Sequence, residues 1–252
     1  MIRPGVSLHV VETADDIAAA AAPVVLQLAR NAIQQRGAFR VALSGGSTPR
    51  PLYSLLATVD SRAQFGHWHV FFGDERMVAA DHPDSNYRMA RESLLSRVSI
   101  PPQQIHRVRT GAGSPEQVAA LYATEIRQSF ALGDDAMPRF DLVLLGIGAD
   151  GHTASLFPGS SAVLAPSPQP VVATWVERLH SYRITLTAAA INAARAVAFL
   201  VAGADKADAV RAVLDADPGT QHGNPPARAI APADGELFVF ADRAAASSVE
   251  CP

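Results

Sequence analysis

Asp150 and His152 flank one glycine in the stretch Leu145-Gly-Ile-Gly-Ala-Asp-Gly-His-Thr-Ala-Ser-Leu-Phe-Pro158. A turn of that spacing brings the carboxylate near the imidazole, or uses it to fix the loop that aims the ring. Either arrangement selects a tautomer. Histidine, with an unperturbed pKa of about 6.5, stands between acid and base near neutral pH, which suits general-base attack of water on an ester-like carbonyl. An isolated Asp-Gly-His turn is commonly structural, so the reading depends on what lies beside it. The same stretch holds a formal G-x-G-x-x-G at Gly146, Gly148 and Gly151, which raises a dinucleotide site. Context argues against it: Pro158 cuts off the helix that should open after the third glycine, and Glu177 lies beyond the acid expected roughly 20 residues later.

Two further stretches combine chemistry-bearing residues. In Ser44-Gly45-Gly46-Ser47-Thr48-Pro49, adjacent glycines let the backbone turn its N–H groups toward one point, three hydroxyls add donors, and proline fixes the start of the run RPLYSLLA as a helix. A helix N-terminus offers unpaired N–H groups and positive partial charge, so the loop suits a phosphate. The alternative is a tight strand-to-helix turn with Ser or Thr as cap, and the two readings are compatible. No Gly-Lys-Ser/Thr follows, so a nucleotide triphosphate is disfavoured. In Gly73-Asp74-Glu75-Arg76, followed by Asp81-His-Pro-Asp-Ser-Asn-Tyr87, two acids and an arginine crowd one strand end. Arg76 offers a fork of donors to phosphate or carboxylate. A solvated, salt-bridged turn would read the same way.

These loops need elements to hold them. Phe39 to Leu43, His69 to Gly73, Asp141 to Leu145, Val171 to Val176, Ala196 to Val201 and Leu237 to Phe240 are short apolar runs that predict strands. Between them Pro49 to Val59, Pro115 to Leu132 and Lys206 to Leu214 carry helical spacing. That rhythm, with strands apolar along their whole length, predicts an α/β fold: a doubly wound, mainly parallel sheet with helices on both faces. Ligands in such sheets bind beyond the carboxyl ends of the strands, where all three loops fall. The run Ile17 to Leu28 is too short to cross a bilayer, which takes about 20 residues, and reads as a core-facing helix. The tail after Arg243 is expected to fray.

Composition narrows the class. With 252 residues, 48% hydrophobic and 18% charged, the chain has material for one large core, and a single α/β domain over residues 1–252 is expected. A formal net charge of −3 argues against a broad nucleic-acid surface, so an anionic ligand must be held locally. The only cysteine is Cys251, which rules out an intrachain disulfide or a cysteine-rich metal site and fits a reducing cytoplasm. The N-terminus, with Pro4, His9 and Glu12, lacks a signal-peptide pattern. Among the other histidines only His67 and His69 have ligand-like spacing, and packing or surface is the expected role for that pair. Trp68 and Trp175 are expected in the core or at an interface.

Taken together, LSGGSTPRPLY, FFGDERMV with HPDSNYRMA, and LLGIGADGHTASLFPGS resemble the three signature segments of the 6-phosphogluconolactonases, in the superfamily that also holds glucosamine-6-phosphate isomerase. Weaker matches, Arg183 in RITLT and Lys206 in GADKADAV, extend the likeness almost to the C-terminus. The resemblance implies a modified Rossmann-like fold, hydrolysis of 6-phospho-D-glucono-1,5-lactone in the oxidative pentose phosphate pathway, cytoplasmic location, and no metal or organic cofactor. It implies a small phosphorylated sugar lactone as partner, no nucleic acid or membrane, and a monomer or weak homo-oligomer. Carried over by position, His152 would be the general base, oriented by Asp150. Arg76, Arg183 and Lys206, with Ser44, Gly45, Gly46, Ser47 and Thr48, would hold the phosphate or carbonyl end, and Asp74 and Asn86 would line the pocket. The isomerases share Asp74, Asp150 and His152 but carry tyrosine in place of Arg76 and, in place of Phe157, a glutamate that takes part in ring opening. Amino-sugar isomerisation is therefore disfavoured. A non-catalytic phosphosugar-binding regulator is the third reading, and nothing in the sequence resembles an attached DNA-reading module.

Overall fold

The computed structural model describes residues 2–59, 64–134, 136–160, 167–216 and 225–249. Cys251, His222 and parts of the proline-rich connections over 158–170 and 218–232 lie outside those residues. Six strands, β1 (Val6–Val11), β2 (Phe39–Leu43), β3 (Trp68–Phe72), β5 (Leu142–Leu145), β8 (Ala196–Val201) and β9 (Glu236–Asp242), form one sheet in the order β1-β9-β8-β5-β2-β3. Every pairing in it is parallel. All residues of β5 and β8 are buried, as expected of strands covered on both sides; each fully buried Val, Leu or Phe contributes about 1.5–3 kcal/mol.

Helices surround the sheet. α1 (Asp16–Arg36) buries Ile17, Ala18, Ala21, Ala22, Val25, Ala29 and Ala32, one face at helical period, and stops where Gly37 adopts φ 75° and donates its N–H to Ile33 O. α2 (Pro49–Leu56) starts on its proline. α4 (Pro115–Ser129) begins with a capping box between Ser114 and Gln117. α6 (Ala207–Leu214) follows β8, while α3 (Asn86–Ala90), which runs on into a π-helical turn over Arg91–Leu95, and α5 (Ala188–Asn192) are short.

A second sheet of three antiparallel strands, β4 (Asp74–Arg76), β7 (Ser181–Leu186) and β6 (Val171–Val176), has the order β4-β7-β6. It is anchored to the main sheet at Gly73, whose N–H donates to Leu43 O and whose carbonyl accepts from Leu186 N. This corrects the expectation for Val171 to Val176, a strand that lies outside the parallel sheet: Trp175 stays exposed, so β6 is covered on one side only. His67 falls in a 3₁₀ turn before β3, where its Nδ1 meets Gly37 O, so it does not share a strand face with His69. The tail after Arg243 is also packed, through residue 249. Asp242 Oδ1 accepts the Ala245 N–H at 2.7 Å, and Ala245 and Ala246 are buried.

From β2 the chain steps outward to β3 at one edge, and later returns to build β5 on the other side of β2. The connections leaving β2 and β5 diverge, and a crevice opens between them at the carboxyl ends of the strands.

Candidate active site

That crevice holds a cleft of ≈ 260 Å³ lined by the loop after β2 (Ser44 to Pro49), by Asp74, Arg76 and Asn86, by the loop after β5 including Gly146, Gly148 and His152, and by the end of β8 with Lys206. The three loops singled out in the sequence thus converge on one space.

The first wall is rigid because Tyr53, buried in α2, is tied to the loop. Ser44 N–H donates to the Tyr53 hydroxyl at 3.0 Å, and that hydroxyl donates to Ser44 O at 2.8 Å. Burial, opposed by these bonds, pushes the phenol above its ordinary range, so it keeps the proton it donates. Gly46 takes φ 103°, a conformation that favours glycine. Gly45 is required for another reason: a β-carbon there would overlap Asn86 Oδ1. Ser44 Oγ is buried without a protein hydrogen-bond partner, and so is Arg76 Nε. Buried polar atoms are ordinarily paired, so both are donors available to a ligand.

The second wall is built on β4. Asp74 accepts from Ser155 Oγ at 2.6 Å and from Asn86 Nδ2 at 3.1 Å, so one carboxylate ties the loop after β5 to α3. Glu75 is turned inward and accepts N–H bonds from Asn86 and Tyr87 at the start of α3 and from Arg76. Burial raises its carboxyl above the ordinary range, with those three N–H groups opposing. The solvated-turn reading fails at Glu75, which is only 2% exposed. Arg76 Nη1 donates to Asp84 O at 2.5 Å.

The third wall carries the imidazole. His152 Nδ1 meets Asp150 Oδ1 at 2.5 Å, and Asp150 Oδ1 also accepts the His152 N–H. Gly148 N–H donates to His152 O and Gly151 N–H to Gly148 O, with Gly151 at φ 73°, so the loop closes on itself. With Nδ1 committed to the carboxylate, Nε2 is the nitrogen able to take a proton. The ring stacks on Phe157 at 4.3 Å between centroids, and its side chain remains 26% exposed, open enough to meet a ligand. Partial burial works to raise the Asp150 carboxyl, but the hydrogen bond and charge of His152, together with Arg178, hold it below the ordinary carboxylate range. Residues 152–160, directly after the third glycine, form no helix, so the dinucleotide reading lacks the phosphate-binding helix terminus that should open there.

Of the residues expected in the site, Ser44 to Thr48, Asp74, Arg76, Asn86, His152 and Lys206 line the cleft. Asp150 stands behind the imidazole. Arg183 is not among the lining residues; it pairs with Arg76 across β4 and β7, and burial and then the Arg76 cation both lower its pKa. Lys206 Nζ contacts Asp205 Oδ2 at 2.5 Å. Sequence reasoning missed Tyr53, Ser155 and Arg178. Tyr53 had a usable signal, an aromatic four residues into a helix that opens at a phosphate-type loop. Ser155 and Arg178 act across the fold and had none.

The family model of glucosamine-6-phosphate isomerases/6-phosphogluconolactonase matches residues 12–239. A 6-phosphogluconolactonase of Synechocystis sp. is 44% identical over 220 residues, covering 86% of this chain and 88% of the relative. Among solved structures, 6-phosphogluconolactonase from Trypanosoma cruzi superposes with a TM-score of 0.86 at 28% identity, covering 97% of each chain. That from Trypanosoma brucei gives 0.82 at 32% identity over 99% of this chain and all of the other. Matched over most of its length, with the three signature loops gathered at one cleft, the chain belongs to the glucosamine-6-phosphate isomerase/6-phosphogluconolactonase family.

Proposed function

We propose that this chain, acting as one α/β unit in the cytoplasm, hydrolyses 6-phospho-D-glucono-1,5-lactone to 6-phospho-D-gluconate in the oxidative pentose phosphate pathway. The observation that carries the reading is the cleft itself: an Asp-oriented imidazole on one wall and, on another, a loop with a buried, unpartnered serine hydroxyl beside cations. The phosphate docks on the Ser44 to Thr48 loop with Arg76 and Lys206, and Arg183 adds positive charge behind Arg76. Anchoring that end turns binding energy into orientation and brings C1 of the lactone beside His152. His152 Nε2 takes a proton from water as its oxygen bonds to C1. The resulting oxyanion is held by backbone N–H groups or a cation, and the C1–ring oxygen bond then breaks as the imidazolium returns the proton to the departing oxygen. Water is consumed, one acid and one hydroxyl are formed, and the chain is unchanged.

Phe157 separates this reading from sugar-phosphate isomerisation. A phenyl ring stacked on His152 can neither donate nor accept a proton, where the isomerases place a glutamate. The test is to follow acid formation from freshly made 6-phosphogluconolactone above the spontaneous rate, with chelator present. Wild type is expected to accelerate it, and His152→Ala to lose about 10²- to 10⁴-fold in kcat while still binding 6-phosphogluconate. Near-normal turnover in His152→Ala would remove the general-base assignment, and ammonia release from glucosamine 6-phosphate would favour the isomerase reading.

A further inference from the structure

β6 and β7 form a hairpin whose loop, Glu177 to His180, closes with His180 in the left-handed region at φ 42°. Arg178 stands in that loop and reaches the loop after β5. Its Nη2 lies 3.0 Å from Asp150 Oδ2 and 3.5 Å from His152 Nδ1, and its guanidinium carbon stands 4.9 Å from the centre of the Phe157 ring. The opposite carboxylate oxygen, Asp150 Oδ1, serves His152, and Phe157 stacks on the same imidazole. One carboxylate therefore serves both the imidazole and the guanidinium, and one phenyl ring touches both.

We propose that Arg178 is a positioning residue for the hydrolysis: by taking the second oxygen of Asp150 it holds the carboxylate in line with the His152 ring and offsets the pull of that carboxylate on the imidazole. The inference rests on the general-base reading of His152. A lone carboxylate beside an imidazole favours the imidazolium, which cannot accept a proton from water. A guanidinium on the same carboxylate offsets that pull and disfavours a second cation at its side. Among the described residues, the charged groups that touch the ring or line the cleft with it are Asp150 on its own loop, Arg178 from the hairpin, Lys206 beyond β8, and Asp74 and Arg76 of β4. Of these cations, Arg178 is the one in contact with the imidazole and with its carboxylate partner. Its side chain is 54% exposed, so as a surface ion pair it adds little to stability and its removal is expected to leave the fold intact.

The test is steady-state kinetics from pH 5 to 9, corrected for spontaneous hydrolysis, on wild type, Arg178→Met, Arg178→Lys and His152→Ala. Arg178→Met is expected to lower kcat roughly 10-fold with KM within about 2-fold, and to move the acidic limb of the kcat profile upward by roughly half a pH unit or more. Arg178→Lys should bring the limb most of the way back, because it restores the charge without the planar guanidinium. The displacement should shrink at high ionic strength. An Arg178→Met profile that superposes on wild type while His152→Ala is inactive would overturn the role of Arg178 alone. Full activity in His152→Ala would overturn both readings, and a uniform loss at every pH that Arg178→Lys does not repair would reduce Arg178 to a structural contact.

Discussion

Gly148 shows how little freedom the proposed catalytic ring has. A β-carbon there would overlap His152 Nδ1 and lie 2.7 Å from Asp150 Oδ1, so the imidazole and its carboxylate are packed directly on bare backbone. The backbone of Gly148 is not in the left-handed region, so the steric cost of alanine falls on the ring and its carboxylate. Gly148→Ala should therefore displace His152 without unfolding the chain. A displacement of about 1 Å can cost roughly 100-fold in rate, so kcat should fall by that order while Tm and product affinity stay close to wild type. Steady-state kinetics beside a thermal melt decide it; unaltered kcat would mean that the ring does not depend on this packing. At this scale Asp150 and His152 were legible because one glycine separates them. Arg178 was not, since only the hairpin brings position 178 back over position 150.

At the scale of elements, the Ser44 to Thr48 loop takes its shape from α2. The Tyr53 hydroxyl accepts the Ser44 N–H and donates to the Ser44 carbonyl, replacing bonds that neither group can make elsewhere in a buried turn. Tyr53→Phe leaves a buried donor and acceptor unpaired, which should cost about 1–3 kcal/mol, seen as a lower Tm, and should raise KM for the phosphorylated lactone more than it lowers kcat. A KM shift confined to unphosphorylated lactones would show that this loop does not hold the phosphate. The elements most legible in the sequence were the buried strands β2, β3, β5, β8 and β9, whose apolar runs match their boundaries within two residues. β1 was missed because its exposed positions dilute its apolar ones, β4 because three charged residues carry no strand pattern, and β7 because Ser181 to Arg183 mask the buried Ile184 to Leu186. All three lie at an edge or in the small sheet, where pairing rather than burial decides the strand.

Across the whole molecule, acid sensitivity should come from the β3 edge as well as from the cleft. His69 stacks on His106, with Nδ1 of the first and Nε2 of the second 3.3 Å apart, and His106 Nδ1 meets Glu125. Burial, then the neighbouring His106, then Arg40 bring the His69 pKa down from 6.5 to about 4. Between those two pH values the unfolded chain binds a proton at this position that the folded chain refuses. Stability is therefore undiminished above 6.5 and falls as the pH drops toward 4. His69→Gln should flatten the decline of Tm over that window and leave it unaltered above pH 7. A mutant melt that keeps the wild-type slope would locate the sensitivity elsewhere.

The sheet order has a consequence for how this molecule comes into being. Among the described residues β1 has β9 as its one neighbour in the sheet, and β9 ends at Asp242. On a ribosome β1 must wait, its edge unsatisfied, until the five other strands of its sheet have been made. Closure thus waits on β9, and a nascent chain arrested before it would leave β1 without its partner and β8 open on one side.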